Sequence, residues 1–263
     1  MPTLGYLMES PSEAARLQQK TDLSFAEANL KLAGLRPGMQ SIDVGCGIGL
    51  LTMLMHELSH RAKTVGVDGS AARIETARSL LSSADGGIEF VNADVHKLPM
   101  GADSFDFAWS RFVFEYLPDP SLVLREMIRV TRPGGIVAVA DLDAQLTNFH
   151  PQTVSTRRGM QEAFRLLGQD GFDPWMGRKL FSMFKANGMR YIKAAAVPYQ
   201  TYCAGLPPDA QDNWRLKLMA ATARLSAIDP GGHWNEFAVQ VIGEMLRDDC
   251  FYYSTLIVVT GVK

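Results

Sequence analysis

Short β-branched runs alternate with longer stretches of helical apolar spacing through the first half of the chain. The runs predict strands at Gln40 to Val44, Thr64 to Val67, Ile88 to Val91, Ser104 to Trp109 and Ile136 to Ala140. Between them, Leu50 to Leu58 reads as an apolar helix, and Ser70 caps one running to about Leu81. Asp119-Pro120 opens a third, with Leu122, Val123, Met127 and Val130 on one face. Upstream, Ser10-Pro-Ser-Glu13 signals a helix start, and the capping box Ser24-x-x-Glu27 opens a helix that Gly34 ends. Arg36-Pro-Gly38 and Arg132-Pro-Gly-Gly135 read as turns into strands. This rhythm predicts an α/β fold, a doubly wound, mostly parallel seven-stranded sheet with helices on both faces.

Beyond Asp143 the rhythm breaks. Residues 147–168 and 207–247 look helical, with a helix at Trp175 to Asn187 and a strand at Tyr191 to Tyr199 between them. The chain ends in a strand-like run, Phe251 to Lys263. We expect one domain over 1–263: a helical cover (1–35), a ligand-binding core (36–143), helical lid insertions (144–170 and 203–249) and a last strand (250–263).

A net charge of −2 and a pI near 6.2 give no global pull toward nucleic acid or anionic membrane. Cys46, Cys203 and Cys250 lack metal-ligand spacing and suit a reducing cytosol, so no metal is expected. The N-terminus lacks signal-peptide regions, and no apolar run reaches the roughly 18 residues of a spanning helix. The expectation is a soluble cytoplasmic protein, with monomer and homodimer both open.

The candidate chemistry starts at Ser41-Ile-Asp-Val-Gly-Cys-Gly-Ile-Gly-Leu50, a strand giving way to a helix. Glycines at 45, 47 and 49 let the backbone turn sharply and approach a ligand, while the helix offers free N–H groups. Leu50 stands where a G-x-G-x-x-G dinucleotide pattern needs a small residue. Asp68 ends the second predicted strand, where doubly wound nucleoside binders place an acceptor for ribose hydroxyls. Asp94 ends the third, where a carboxylate can accept from an adenine amine with Val95 against the ring. Asp106 reads as structural.

Together, Asp43-x-Gly-x-Gly-x-Gly49, Asp68, Asp94, Leu98-Pro99, Phe105-Asp106, Leu117-Pro-Asp-Pro120 and Arg132-Pro-Gly-Gly135 resemble the small-molecule branch of the class I S-adenosylmethionine-dependent methyltransferases. The likeness to these quinone-biosynthesis and natural-product enzymes runs from about Arg36 to Asp143. It implies a Rossmann-like fold and S-adenosylmethionine as cofactor, with S-adenosylhomocysteine as product. It also implies a cofactor site of Asp43, Gly45, Cys46, Gly47, Gly49, Asp68, Gly69, Asp94, Val95, Ser110 and Arg111. Tyr6 and Arg16, in a segment like the family's N-terminal cover, join it by the same resemblance.

Methyl transfer from a sulfonium releases a neutral thioether, so the protein must align the acceptor and exclude water. A hydroxyl or carbon acid also needs a base. Many relatives carry a His near the end of the fourth-strand segment, where this chain has Glu115-Tyr116. Tyr116, His150 and Asp141 are the catalytic candidates, and none is singled out. Phe149, His150, Trp175, Tyr199 and His233 are candidates for contacting a partly apolar small-molecule substrate. Nothing resembles an Asn/Asp-Pro-Pro-aromatic tetrad or a basic-aromatic groove, so no nucleic-acid partner is expected. A cofactor-binding enzyme that catalyses a non-methylating rearrangement, and more distantly an NAD-dependent dehydrogenase, remain the alternatives.

Overall fold

The computed structural model describes residues 7, 16, 21–82 and 86–263. The helix start at Ser10 and the role of Tyr6 lie outside these residues. Among them the chain runs α1 (Leu23–Ala33), β1 (Ser41–Val44), α2 (Leu50–Leu58), β2 (Thr64–Asp68), α3 (Ala71–Ser79), β3 (Ile88–Asn92) and β4 (Phe105–Arg111). A 3-10 turn at Phe114–Tyr116 leads to α4 (Pro120–Val130), β5 (Thr131–Asp143), β6 (Phe149–His150) and α5 (Val154–Leu167). Then follow α6 (Met176–Ala186), β7 (Arg190–Cys203), α7 (Pro208–Ile228), α8 (Trp234–Met245) and β8 (Phe251–Val262).

The sheet order is β3-β2-β1-β4-β5-β8, with β3 through β5 parallel and β8 antiparallel to β5. β7 pairs along the other side of β8. The predicted seven strands become eight because β6 takes over from β5 beside the start of β8, pairing Phe149 with Tyr252. The strand order reverses between β1 and β4, so a crevice opens at their carboxyl ends.

Side-chain alternation explains why both faces are covered. On β5, Val137 and Val139 pack with Leu124 and Met127 of α4 and Leu180 of α6, whereas Ala138, Ala140 and Leu142 pack with Leu30 of α1 and Met55 of α2. Ser70 and Asp119 cap α3 and α4 as expected.

Three expectations are corrected, and one stretch is refined. Asp22 caps α1 in place of Ser24, its Oδ1 accepting from the Phe25 N–H at 3.0 Å. Arg132-Pro-Gly-Gly135 belongs to β5, which starts at Thr131. Within the helical stretch 207–247, α7 ends at Ile228 and α8 starts at Trp234, because Asp229-Pro-Gly-Gly232 cannot continue a helix. The helix expected from Thr147 starts at Val154, capped by the Thr153 hydroxyl.

α5, α7 and α8 share an apolar cluster with Phe149 and Tyr252, including Phe164, Trp214, Leu225 and Val241. These helices form a cap at the carboxyl end of the sheet. No helix is long and apolar enough to cross a membrane, among the described residues.

Gly49 sits at φ +81°, and a Cβ there would come within 2.3 Å of the Phe90 ring. Gly49→Ala should cost about 1–3 kcal/mol of stability, through a strained backbone and displaced Phe90. Urea denaturation checks this; an unchanged midpoint would contradict it.

Candidate functional site

The turn after β1 is stapled to β2. Gly45 and Cys46 N–H groups donate to the Val67 carbonyl at 2.7 and 3.0 Å, and the Gly47 N–H donates to Asp68 Oδ2 at 2.9 Å. Gly45, Gly47 and Gly49 all take positive φ, which explains the glycine at each position. Asp68 Oδ1 accepts from the Ser70 N–H at 2.9 Å and from Arg73 Nε at 3.1 Å. Asp68 is therefore a corner post, holding the turn, the start of α3 and Arg73 at once.

This turn floors a cavity of about 570 Å³ at the carboxyl ends of the central strands. Of the sequence candidates, Asp43, Gly45, Cys46, Gly47, Asp68, Gly69, Asp94, Val95 and Arg111 line it, as do Tyr116 and Tyr199. Asp43 is buried, its Oδ2 accepting from the Thr52 hydroxyl at 2.7 Å. Burial pushes its carboxyl up to about 6, against the lowering effects of Thr52 and Arg111. Burial also drives the Cys46 thiol well above its ordinary range, with Asp43 and Asp68 adding to the effect, so it stays protonated. Asp94 Oδ1 accepts from the His96 N–H at 2.9 Å and lies 2.8 Å from His96 Nδ1; the first of these holds its carboxyl below the usual range.

Arg111 carries no hydrogen bond or ion pair among the described residues. Its guanidinium lies 4.8 Å from the centre of the Phe112 ring, and burial lowers its pKa. The Asp43 and Asp22 charges act on it from a distance, so a largely desolvated guanidinium with no hydrogen-bonded carboxylate among the described residues is a site for an anion.

Other candidates fall elsewhere. Gly49 lies behind the turn against Phe90, and the Ser110 hydroxyl is spent on the Val44 carbonyl at 2.8 Å. Arg16 is buried and donates to Asn213 of α7, a cavity-lining residue, at 3.0 Å. Phe149 packs in the cap's core, and Trp175 makes an edge contact with Phe164. His150 and His233 are exposed, on β6 and at the start of α8. Asp141 is fully buried behind the cavity, accepting from the Glu115 and Leu142 N–H groups at 3.0 and 2.9 Å.

Sequence reasoning missed the cavity's other polar wall: Arg73, Glu115, Asp170, Asn213, Lys217 and Arg224. Asp170 and Arg224 pair with each other. A signal existed for the α7 residues. Lys217 and Arg224 stand seven apart, flanking the buried stripe Ala210, Trp214, Leu218 and Leu225.

Residues 42–139 match the family model described as a methyltransferase domain. The 2-methyl-6-phytyl-1,4-hydroquinone methyltransferase of Synechocystis is 32% identical over 52% of this chain and 43% of that protein. The O-methyltransferase resE of Aspergillus sclerotiorum is 29% identical over 63% of this chain and 67% of that protein. The chain spans about half or less of the length of most curated relatives it matches. Among solved structures, a Haemonchus contortus phosphoethanolamine N-methyltransferase with S-adenosylhomocysteine bound shares the fold. Its TM-score is 0.63, at 15% identity, over all of this chain and 61% of that one.

The raised carboxyl of Asp43 has a stability consequence. Its folded pKa lies above the unfolded value, so its contribution is fully present below about pH 4 and is lost as pH rises through about 6. The loss amounts to about 3 kcal/mol. Urea denaturation across pH 4 to 7 should show wild type losing stability relative to Asp43→Asn over that interval. Parallel curves would contradict the burial argument.

Proposed function

We infer that this chain, whose core belongs to the class I S-adenosylmethionine-dependent methyltransferases, transfers a methyl group from S-adenosylmethionine to a small, partly apolar molecule. The observation that carries the reading is the pairing, in one cavity, of the positive-φ glycine turn with the Arg111 guanidinium, which has no hydrogen bond or ion pair among the described residues. The donor groups fit the cofactor. Arg111 suits its carboxylate and Asp43 its ammonium, across the turn at Gly45 and Gly47. The second oxygen of Asp68 keeps acceptor capacity beside its bond to Gly47 and can take a ribose hydroxyl. Asp94 and Val95 suit the adenine edge and face. When bound, S-adenosylmethionine supplies a methyl group on a positively charged sulfur that leaves as a neutral thioether.

The protein's part is orientation and exclusion of water. The cap residues Leu167, Phe172 and Lys217 close the cavity opposite the glycine turn, so an acceptor would meet the methyl group between sheet and cap. Three free thiols suit a reducing, cytoplasmic setting. A net charge of −2 supports a small-molecule partner over nucleic acid.

Calorimetric titration with S-adenosylhomocysteine tests the reading. Wild type should bind it, Asp68→Ala should bind about 1–3 kcal/mol more weakly, and Arg111→Met should lose a similar amount. Equal affinities in all three proteins would overturn the assignment.

A further inference from the structure

A buried polar chain crosses from sheet to cap at the end of the cavity that the cofactor assignment leaves unused. It begins at Asp141, at the carboxyl end of β5, whose Oδ2 accepts the Glu115 N–H. The Glu115 side chain, only 1% exposed, accepts from the Gln145 amide, and Gln145 Oε1 accepts from Lys217 Nζ on α7 at 3.1 Å. Glu115 and Lys217 both line the main cavity, and Asp141 does not. Beside this chain lies a second, apolar hollow of about 50 Å³ inside the cap. Its walls include Leu146, Met160, Phe164, Ala221 and Leu225. Leu7, Tyr116, Leu167, Phe172 and Lys217 line both spaces, so the hollow continues the main cavity.

The geometry points to Glu115 as the group that takes the proton from a hydroxyl acceptor whose apolar body reaches into the hollow under the cap. This rests on the methyltransferase reading and names the substrate class of that same cavity.

Glu115 stands on the turn that leaves β4, next to the glycine turn that leaves β1, because those strands are neighbours. Its partner Gln145 donates an N–H, which favours the ionised carboxylate. Burial raises the pKa of Asp141, and the Glu115 charge raises it further, against the backbone N–H groups that lower it. Glu115 is the member of the pair that faces the cavity.

The step balances. The acceptor oxygen forms a bond to the methyl carbon as the carbon–sulfur bond breaks, the sulfur keeps that electron pair, and the hydroxyl proton passes to Glu115. A carboxylate is a sufficient base, because the proton on an oxygen undergoing alkylation becomes strongly acidic. An amine fits less well. A carboxylate stabilises its protonated form, which has no lone pair, and the Lys217 charge on the same wall opposes a cation. The apolar lining of the hollow asks for a ring or hydrocarbon body behind the hydroxyl.

The probes are 1-naphthol and 1-naphthylamine. Calorimetry should show 1-naphthol binding to protein saturated with S-adenosylhomocysteine. Ala221→Phe, which fills the hollow, should weaken that binding at least about tenfold while S-adenosylhomocysteine binds as before. With methyl-labelled S-adenosylmethionine, wild type should methylate 1-naphthol and leave 1-naphthylamine unchanged. Glu115→Gln should lower turnover about 10²- to 10⁴-fold with both affinities retained, which separates lost chemistry from lost folding. The inference is overturned if 1-naphthol does not bind or binds without turnover, if Ala221→Phe binds it normally, if Glu115→Gln keeps its rate, or if the amine is methylated. Failure to bind S-adenosylhomocysteine would instead remove the methyltransferase reading itself.

Discussion

The Asp68 carboxylate holds the site together. One side chain at the end of β2 receives the Gly47 N–H from the turn after β1, the Ser70 N–H that opens α3, and Arg73 on α3 itself. Without that acceptor, the glycine turn would rest on the two bonds from Gly45 and Cys46 to the Val67 carbonyl. Asp68 is mostly buried, so each of these charge-assisted bonds forms away from competing water. Arg73 occupies the oxygen that does not hold Gly47, and it therefore shares the cavity wall with whatever Asp68 binds.

The cap is tied to this floor by polar contacts as well as apolar packing. Arg16 meets Asn213, and Lys217 meets Gln145 at the carboxyl end of the sheet. Phe172 bridges the two layers, its ring 5.4 Å from Tyr116 and 6.3 Å from Phe164. The cavity consequently has two chemically different ends. One is set by backbone, Asp68 and Arg111, and the other by Glu115, Lys217 and aromatic rings.

Local signals decided what could be read from the chain. β1 to β5 and their helices were legible because apolar period, caps and glycines agree at each junction, as at Ser70 and Asp119. The glycine turn and the strand-end acids Asp68 and Asp94 were legible for the same reason, since topology fixes where a strand's end points. Glu115 was passed over in favour of Tyr116 because nothing local reports that Gln145 and Asp141 surround it. His150 and His233 were chosen for their chemistry alone, and tertiary packing leaves both at the surface. Phe149 and Trp175 were ambiguous for a general reason: an aromatic residue in a helical insertion serves a core or a pocket equally well.

A crystal structure with S-adenosylhomocysteine bound tests the central claim most directly. The account predicts the methionyl carboxylate on Arg111 and a ribose hydroxyl on Asp68, with the thioether sulfur turned toward the Glu115 end of the cavity. A ligand bound away from the Gly45–Gly49 turn, or a ribose with no contact to Asp68, would contradict it.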